Sequence, residues 1–162
     1  MSRARAAAGT LLFFVLAPGV VAGLVPWLLT RWEAASPPWW TPLRVLGVAL
    51  VVAGAAVLVQ AFVRFVVEGI GTPAPVAPTE HLVVGGLYRW VRNPMYLAVT
   101  TTIVGQALLL GRSVLLLYAA AVLLACAAFV RLHEEPALAR RFGAEYEAYR
   151  RDVPGWWPRR PR

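Results

Sequence analysis

Four apolar stretches set the pattern of this chain. The first covers residues 6 to about 30 and carries no charged side chain. The second runs over about 43–67, with Arg44 and Arg64 near its ends, where long side chains reach the headgroups. The third begins at Pro94 and ends near Gly111; the fourth covers about 114–132. Each approaches or exceeds the length that crosses a bilayer core as a helix. The pattern predicts an all-α polytopic membrane protein, one domain over residues 1–162, with four transmembrane helices.

The intervals differ in character. Arg3 and Arg5 before the first stretch resemble the start of a signal peptide, but the apolar run is too long for one and no A-x-A site follows. Pro18-Gly19 and Pro26 fall inside that run, where neighbouring helices must re-satisfy the freed backbone groups. Trp32, Trp39 and Trp40, between Arg31 and Pro42, read as an interfacial belt. Gly47, Ala49, Ala53, Gly54, Ala55 and Ala56 predict close helix packing, and Thr100, Thr101, Thr102 and Gln106 predict interhelical hydrogen bonds. Residues 68–93 form a long loop whose first half, with Pro73, Pro75 and Pro78, cannot be a regular helix. Gly111-Arg112-Ser113 reads as a tight turn that makes the third and fourth stretches a hairpin. After Val130 the pattern becomes amphipathic. Leu138, Phe142, Tyr146 and Tyr149 recur at helical spacing opposite arginines and glutamates, predicting one helix over 136–150. A basic tail, 151–162, reads as an interfacial strap or as disordered.

Composition agrees: the chain is 59% hydrophobic, with a mean hydropathy of +0.62. The net charge is +8 and all 16 basic residues are arginine. These charges sit at the ends of apolar runs, so they argue for membrane orientation and against nucleic acid. With four spans, most of the arginines share the face that holds both termini and the 68–93 loop. The positive-inside rule assigns that face to the cytoplasm. The single cysteine, Cys126, lies in an apolar run and reads as filler. His81 and His133 do not make a metal site at their separation, and no metal is expected.

Candidate chemistry lies on the cytoplasmic face. Asn93-Pro94 reads as a helix start, with the Asn93 side-chain oxygen as cap. Such an N-terminus, with Arg89, Arg92, Tyr88 and Tyr96 nearby, suits an anionic or zwitterionic ligand. Glu134 and Glu135 stand at the mouth of the fourth stretch, where ionisable groups are functional candidates; the plainer reading makes them a helix cap paired with Arg131, His133 or Arg89. Carboxylates beside aromatic rings (Tyr88, Trp90, Tyr96, Tyr146) suit a cation lacking N–H donors, such as a sulfonium. A sulfonium at one end and a carboxylate at the other describes S-adenosylmethionine.

Two blocks carry a resemblance. They are Leu82-Val83-x-x-Gly86-x-Tyr88-x-x-x-Arg92-Asn93-Pro94-x-Tyr96 and Glu134-Glu135-x-x-Leu138-x-x-x-Phe142-Gly143-x-Glu145-Tyr146-x-x-Tyr149-x-x-x-Val153-Pro154. In order and spacing they resemble the isoprenylcysteine carboxyl methyltransferase family, itself similar to the membrane phospholipid methyltransferases. The resemblance covers roughly residues 68 to 158. It implies that Glu80, His81, Leu82, Val83, Tyr88, Asn93, Pro94, Met95, Tyr96 and Glu134 surround S-adenosylmethionine, with Glu135 as a supporting partner. It also implies that Arg131 contacts the substrate. Asn93 stands where the family has histidine, so it can hydrogen-bond but carries no charge.

The expected activity is methyl transfer to a lipophilic acceptor, an isoprenylcysteine carboxylate or a phospholipid amine, that arrives sideways from membrane lipid. Glu134 serves as base only if the acceptor is a protonated amine. On this expectation Tyr88, Asn93, Tyr96 and Glu134 line one cytosol-facing cavity. The alternative from another class is a non-catalytic membrane module that binds a lipid or a partner helix. A transporter is disfavoured because the spans lack buried charge and an inverted repeat.

Overall fold

The computed structural model describes residues 16–64 and 81–160, together with Leu12 and Val67. Among these the structure is helical, joined by turns and short extended pieces, without a β-strand. Helix α1 is Leu16–Thr30. Helix α2, Thr41–Arg64, follows a 3-10 turn at Pro38–Trp40. Helix α3 is Pro94–Leu110 and α4 is Ser113–Phe129. A π-helical turn, Val130–Glu134, continues α4 into α5, Glu135–Phe142. Helix α6 is Ala144–Asp152.

Length separates the four apolar helices into two kinds. Pro38–Arg64 and the continuous run Ser113–Phe142 are long and apolar enough to cross a membrane; Leu16–Thr30 and Pro94–Leu110 are shorter. The short helix α3 is the best buried: Ala98, Val99, Ile103, Ala107 and Leu110 form its core with Leu58, Phe62, Leu115 and Ala119. The long helices α2 and α4 instead leave Val45, Val52, Val59, Leu117 and Leu124 uncovered. Contiguous apolar surface of this kind is what lipid covers.

Small residues set the α2–α3 distance. A Cβ on Gly47 would stand 2.6 Å from the Gly105 carbonyl oxygen, and one on Gly105 would stand 2.8 Å from that of Gly47. A Cβ on Gly54 would collide with the Thr102 hydroxyl and the Ala98 carbonyl. Dispersion between such closely approached backbones is the attraction available to helices in lipid.

Both π turns precede a proline. Pro26 has no N–H for the Ala22 carbonyl four residues earlier, and the helix widens over Val20–Leu24. Gln106 of α3 donates its Nε2 to the freed Ala22 oxygen at 2.6 Å, and Tyr118 of α4 donates its hydroxyl to Val21 O at 2.8 Å. Pro136 follows the second π turn in the same way. The helix therefore widens and continues where a break was possible.

Several expectations are corrected. Of the polar residues in α3, Gln106 bonds between elements, also accepting from Trp32 Nε1 at 3.2 Å. Thr100 and Thr102 instead donate to the Tyr96 and Ala98 carbonyls of their own helix, the usual choice of a hydroxyl inside a helix. The single amphipathic helix over 136–150 is two, α5 and α6. Gly143 divides them at φ 51°, a left-handed conformation that glycine adopts without strain. Asn93 precedes α3 without a side-chain cap bond.

Candidate functional site

Three stretches distant in sequence converge at one end of the helices. The first is 81–96. Val83 and Tyr88 pack with Ala61 of α2 and against Met95. The second is the π turn and α5, carrying Glu134 and Glu135. The third, 153–159, follows α6 and crosses back over residues 90–93.

The glutamates face different partners because successive helical residues point about 100° apart. Glu134 Oε2 accepts a 2.7 Å hydrogen bond from the Tyr96 hydroxyl, one turn into α3. Glu135 Oε1 receives Arg92 Nη1 at 2.7 Å, with both side chains largely buried. The same Arg92 nitrogen donates to the Tyr146 hydroxyl at 3.0 Å, and Arg92 Nε donates to the Val153 carbonyl at 3.0 Å. Arg92 thus ties the loop, α5, α6 and the final segment together. Arg150 Nη2 stands 3.8 Å from the other Glu135 oxygen.

The final segment is a built strap. Backbone N–H groups of Arg92 and Arg159 donate to Pro154 O and Trp90 O at 2.9 and 3.0 Å. Asn93 Nδ2 donates to Gly155 O at 3.0 Å. That bond uses the amide nitrogen, and the side-chain oxygen expected to cap α3 makes no cap bond. The Trp156 ring lies 6.4 Å from the Tyr96 ring. These bonds tie part of the expected tail to residues 90–93. Trp156 was missed as a site residue, although the Val153-Pro154 end of the second block pointed to its neighbourhood.

Burial controls the tyrosines here. It pushes the Tyr88 hydroxyl well above the ordinary tyrosine range, helped by the Glu134 carboxylate and Tyr149. Tyr149 is raised by burial against the opposing pull of Arg92; its hydroxyl donates to Tyr88 O at 2.7 Å. Tyr146 is raised by burial, again opposed by Arg92. These hydroxyls stay protonated at physiological pH.

The expected residues are placed as follows, Glu80 excepted. Glu80 lies outside the described residues. His81 is exposed and Leu82 half-buried. Val83, Tyr88, Asn93 and Pro94 are buried; Met95, Tyr96, Glu134 and Glu135 are half-buried; Arg131 is exposed. Of the expected quartet Tyr88, Asn93, Tyr96 and Glu134, the structure joins Tyr96 and Glu134 directly. A cavity of about 510 Å³ lies on the Glu135 side, walled by Arg92, Arg131, Glu135, Arg150 and Trp156, with Ala127 and Val130 on its apolar side. Trp156 joins the two regions, because it lines the cavity and faces Tyr96. Among the described residues no three His, Cys, Asp or Glu side chains cluster as metal ligands do.

The residues on the Tyr96 side fit a sulfonium donor. A carboxylate shielded from water, a hydroxyl bonded to it and two ring faces are the set that holds a cation without N–H groups. Two helices long and apolar enough to cross a membrane, with a half-buried, charge-paired polar cluster at one end, are features expected of a membrane protein. The sequence model described as phospholipid methyltransferase matches residues 42–145, and the chain belongs to that family. This agrees with the resemblance carried by the two blocks and sets the chain among membrane methyltransferases. The match spans α2 to the start of α6 and ends before Tyr146, Tyr149 and Trp156. No curated protein and no solved structure matches the chain significantly.

Proposed function

We propose that this chain is an S-adenosylmethionine-dependent methyltransferase that acts on a lipophilic acceptor at the cytoplasmic surface of a membrane. The observation that carries this reading is the hydrogen bond between Tyr96 and Glu134, beside the ion pair between Arg92 and Glu135. Together they join the two sequence blocks in a single half-buried site.

The donor would be held by Glu134, Tyr96 and the Trp156 ring at its cationic end. The first turn of α3 would meet its carboxylate with the free N–H groups of Met95 and Tyr96, while Pro94, which has no N–H, opens the turn. Leu82, Val83, Tyr88 and Met95 supply apolar and aromatic surface. Glu80, His81 and Asn93 complete the proposed contacts, and Glu135 supports them through Arg92. When bound, the donor supplies a methyl group already activated for displacement. The chain therefore has to orient the partners and exclude water. Buried Val83, Tyr88 and Val130 serve the second task. Arg131 belongs to the acceptor side, and Glu134 takes a proton only where the acceptor is an ammonium.

All four apolar helices cross the bilayer in this reading, the amphipathic pair α5 and α6 lies at its surface, and the arginine-rich end faces the cytoplasm. Seventeen residues of α3 span about 26 Å. That is slightly short of a bilayer core of about 30 Å, and α3 is shielded by α2 and α4.

The test is transfer of labelled methyl from S-adenosylmethionine to extracted membrane lipids by the purified chain, with donor binding followed by calorimetry. The expected result is label in the lipid fraction and binding lost in Glu134→Ala. No label, together with no donor binding to wild type, would overturn the proposal.

A further inference from the structure

The strap at 153–159 has two sides. Val153 is buried, and Trp156 turns onto the cavity and the Tyr96 ring. The next residue, Trp157, is 82% exposed, and Arg159 and Arg160 are exposed beyond it. The bond from Arg159 N to Trp90 O, 3.0 Å long, brings a second exposed pair alongside, Arg89 and Trp90. Two indoles and three guanidinium groups thus share the outer surface at this end of the helices.

No carboxylate answers these charges. Arg89, Arg159 and Arg160 have no ion pair among the described residues. Arg159 Nη2 donates at 3.2 Å to the backbone carbonyl of Asp152. Indole rings settle in the headgroup layer of a bilayer, where the ring meets apolar surface and the N–H meets polar groups. Arginines in that layer are drawn to a leaflet that carries anionic lipid. The neighbouring helix favours a membrane over a soluble polyanion. Trp156 shares its cavity with Ala127 and Val130, in the same helical run that leaves Phe129 46% and Leu132 67% exposed. The strap therefore lies where the surface that lipid would cover begins.

Little fastens the strap to the rest of the chain. Two backbone bonds and the side-chain bonds of Asn93 and Arg92 hold it, and it has no helix or strand of its own. Segments held by so few bonds at the surface open at low cost in free energy. We propose that the outer side of the strap is a docking surface for the anionic lipid of the bilayer, and that docking keeps Trp156 in place at the site. The lipid engaged here is the membrane surface itself, distinct from anything the site transforms. A surface that binds the closed strap better than the open one shifts the population toward closed. Because Trp157 directly follows Trp156, what holds the first holds the second. The docking surface stands on its own geometry; its effect on donor affinity rests on the methyltransferase reading.

Two amides report the strap directly: Arg92 N–H, which donates to Pro154 O, and Arg159 N–H, which donates to Trp90 O. The experiment follows their hydrogen exchange by NMR in the full chain, in nanodiscs of neutral phosphatidylcholine and in nanodiscs with about one-third phosphatidylglycerol. S-adenosylmethionine affinity is measured in the same samples. In wild type, anionic lipid should slow both amides by about fivefold or more and tighten donor binding by a similar factor. About 0.5 M salt should remove most of the response. Arg89→Gln with Arg160→Gln, and separately Trp157→Ser, should lose the response at an unchanged melting temperature, since all three side chains are exposed. The paired lysine variant should regain it, because the leaflet attracts either cation. Exchange that is equal in the two lipids, or a response kept by both variants, would overturn the docking surface. Slowing by soluble polyglutamate in neutral nanodiscs would overturn the membrane as partner. Exchange that responds while wild type binds donor equally in both lipids would overturn the coupling to the site. A wild type that binds no donor would count against the methyltransferase reading, while the exchange series would still judge the docking surface.

Discussion

Tyr96 and Glu134, 38 positions apart, are joined by a 2.7 Å hydrogen bond in which the tyrosine hydroxyl donates to the carboxylate. It links the first turn of α3 to the end of a π turn. A carboxylate shielded from water needs such a donor, since an unmatched one costs about 1–3 kcal/mol or more.

Tyr96→Phe removes that donor and keeps the ring. The variant should lose at least about tenfold in S-adenosylmethionine affinity, with about 1–2 kcal/mol of stability. Glu134→Gln keeps a hydrogen bond but removes the charge, so it should fold normally and still bind donor weakly. Calorimetry and thermal melts separate the two effects; donor affinity unchanged in both variants would remove Glu134 from the site.

Arg92→Lys is the sharpest test of the junction. Lysine cannot place separate donors on Glu135, Tyr146 and Val153 O together. Leaving part of this half-buried network unsatisfied should cost about 2–3 kcal/mol. A melting temperature equal to wild type would show that the junction contributes little.

Truncation after Asp152 deletes the strap while retaining every helix. It removes the partners of Arg92, Asn93 and Trp90 and the Trp156 ring. Methyl transfer should fall by about two orders of magnitude or more, as misplacement of a reacting group does, while helix content stays the same by circular dichroism. Trp156→Phe should retain most of the activity.

Gly47→Leu and Gly105→Leu test the α2–α3 contact. Neither helix can take a side chain at these points without moving apart, so each should destabilise by at least about 1–3 kcal/mol. Leucine at Ala49, on the same helix, provides the comparison for added bulk alone. Equal melting temperatures for all three would contradict the close approach.

Alkaline pH should weaken the fold through Tyr88 and Tyr149. Both have folded values raised above the ordinary tyrosine value of about 10. Above that pH the unfolded chain gives up protons that the folded chain retains. The unfolded state then binds fewer protons, and stability falls as pH rises; below about pH 10 the contribution is fully present. Tyr149→Phe should show a shallower loss of melting temperature between pH 9 and 11 than wild type, and an identical slope would argue against its burial.

Much of this protein is legible residue by residue. Long apolar runs can only be helices where no water satisfies the backbone. Pro94 marks a helix start because its missing N–H falls where none is needed. The two blocks also point to the family whose model matches residues 42–145. Other features depend on groups far away in sequence and could not be read this way. Asn93 reads as a cap for α3, yet its side chain makes no cap bond and its amide nitrogen meets the Gly155 carbonyl, 62 positions away. Pro26 and Pro136 could break or widen their helices. For Pro26, the freed carbonyl finds Gln106 of another helix, and the helix continues. Glu134 and Glu135 look interchangeable as neighbours, yet a 100° step between helical residues gives one to Tyr96 and the other to Arg92. The chain alone thus determines where the apolar helices run and where polar and ionisable side chains fall along them. Pairing among those side chains is a property of packing, because a hydrogen bond or ion pair forms only where the tertiary fold brings both partners within about 3 Å.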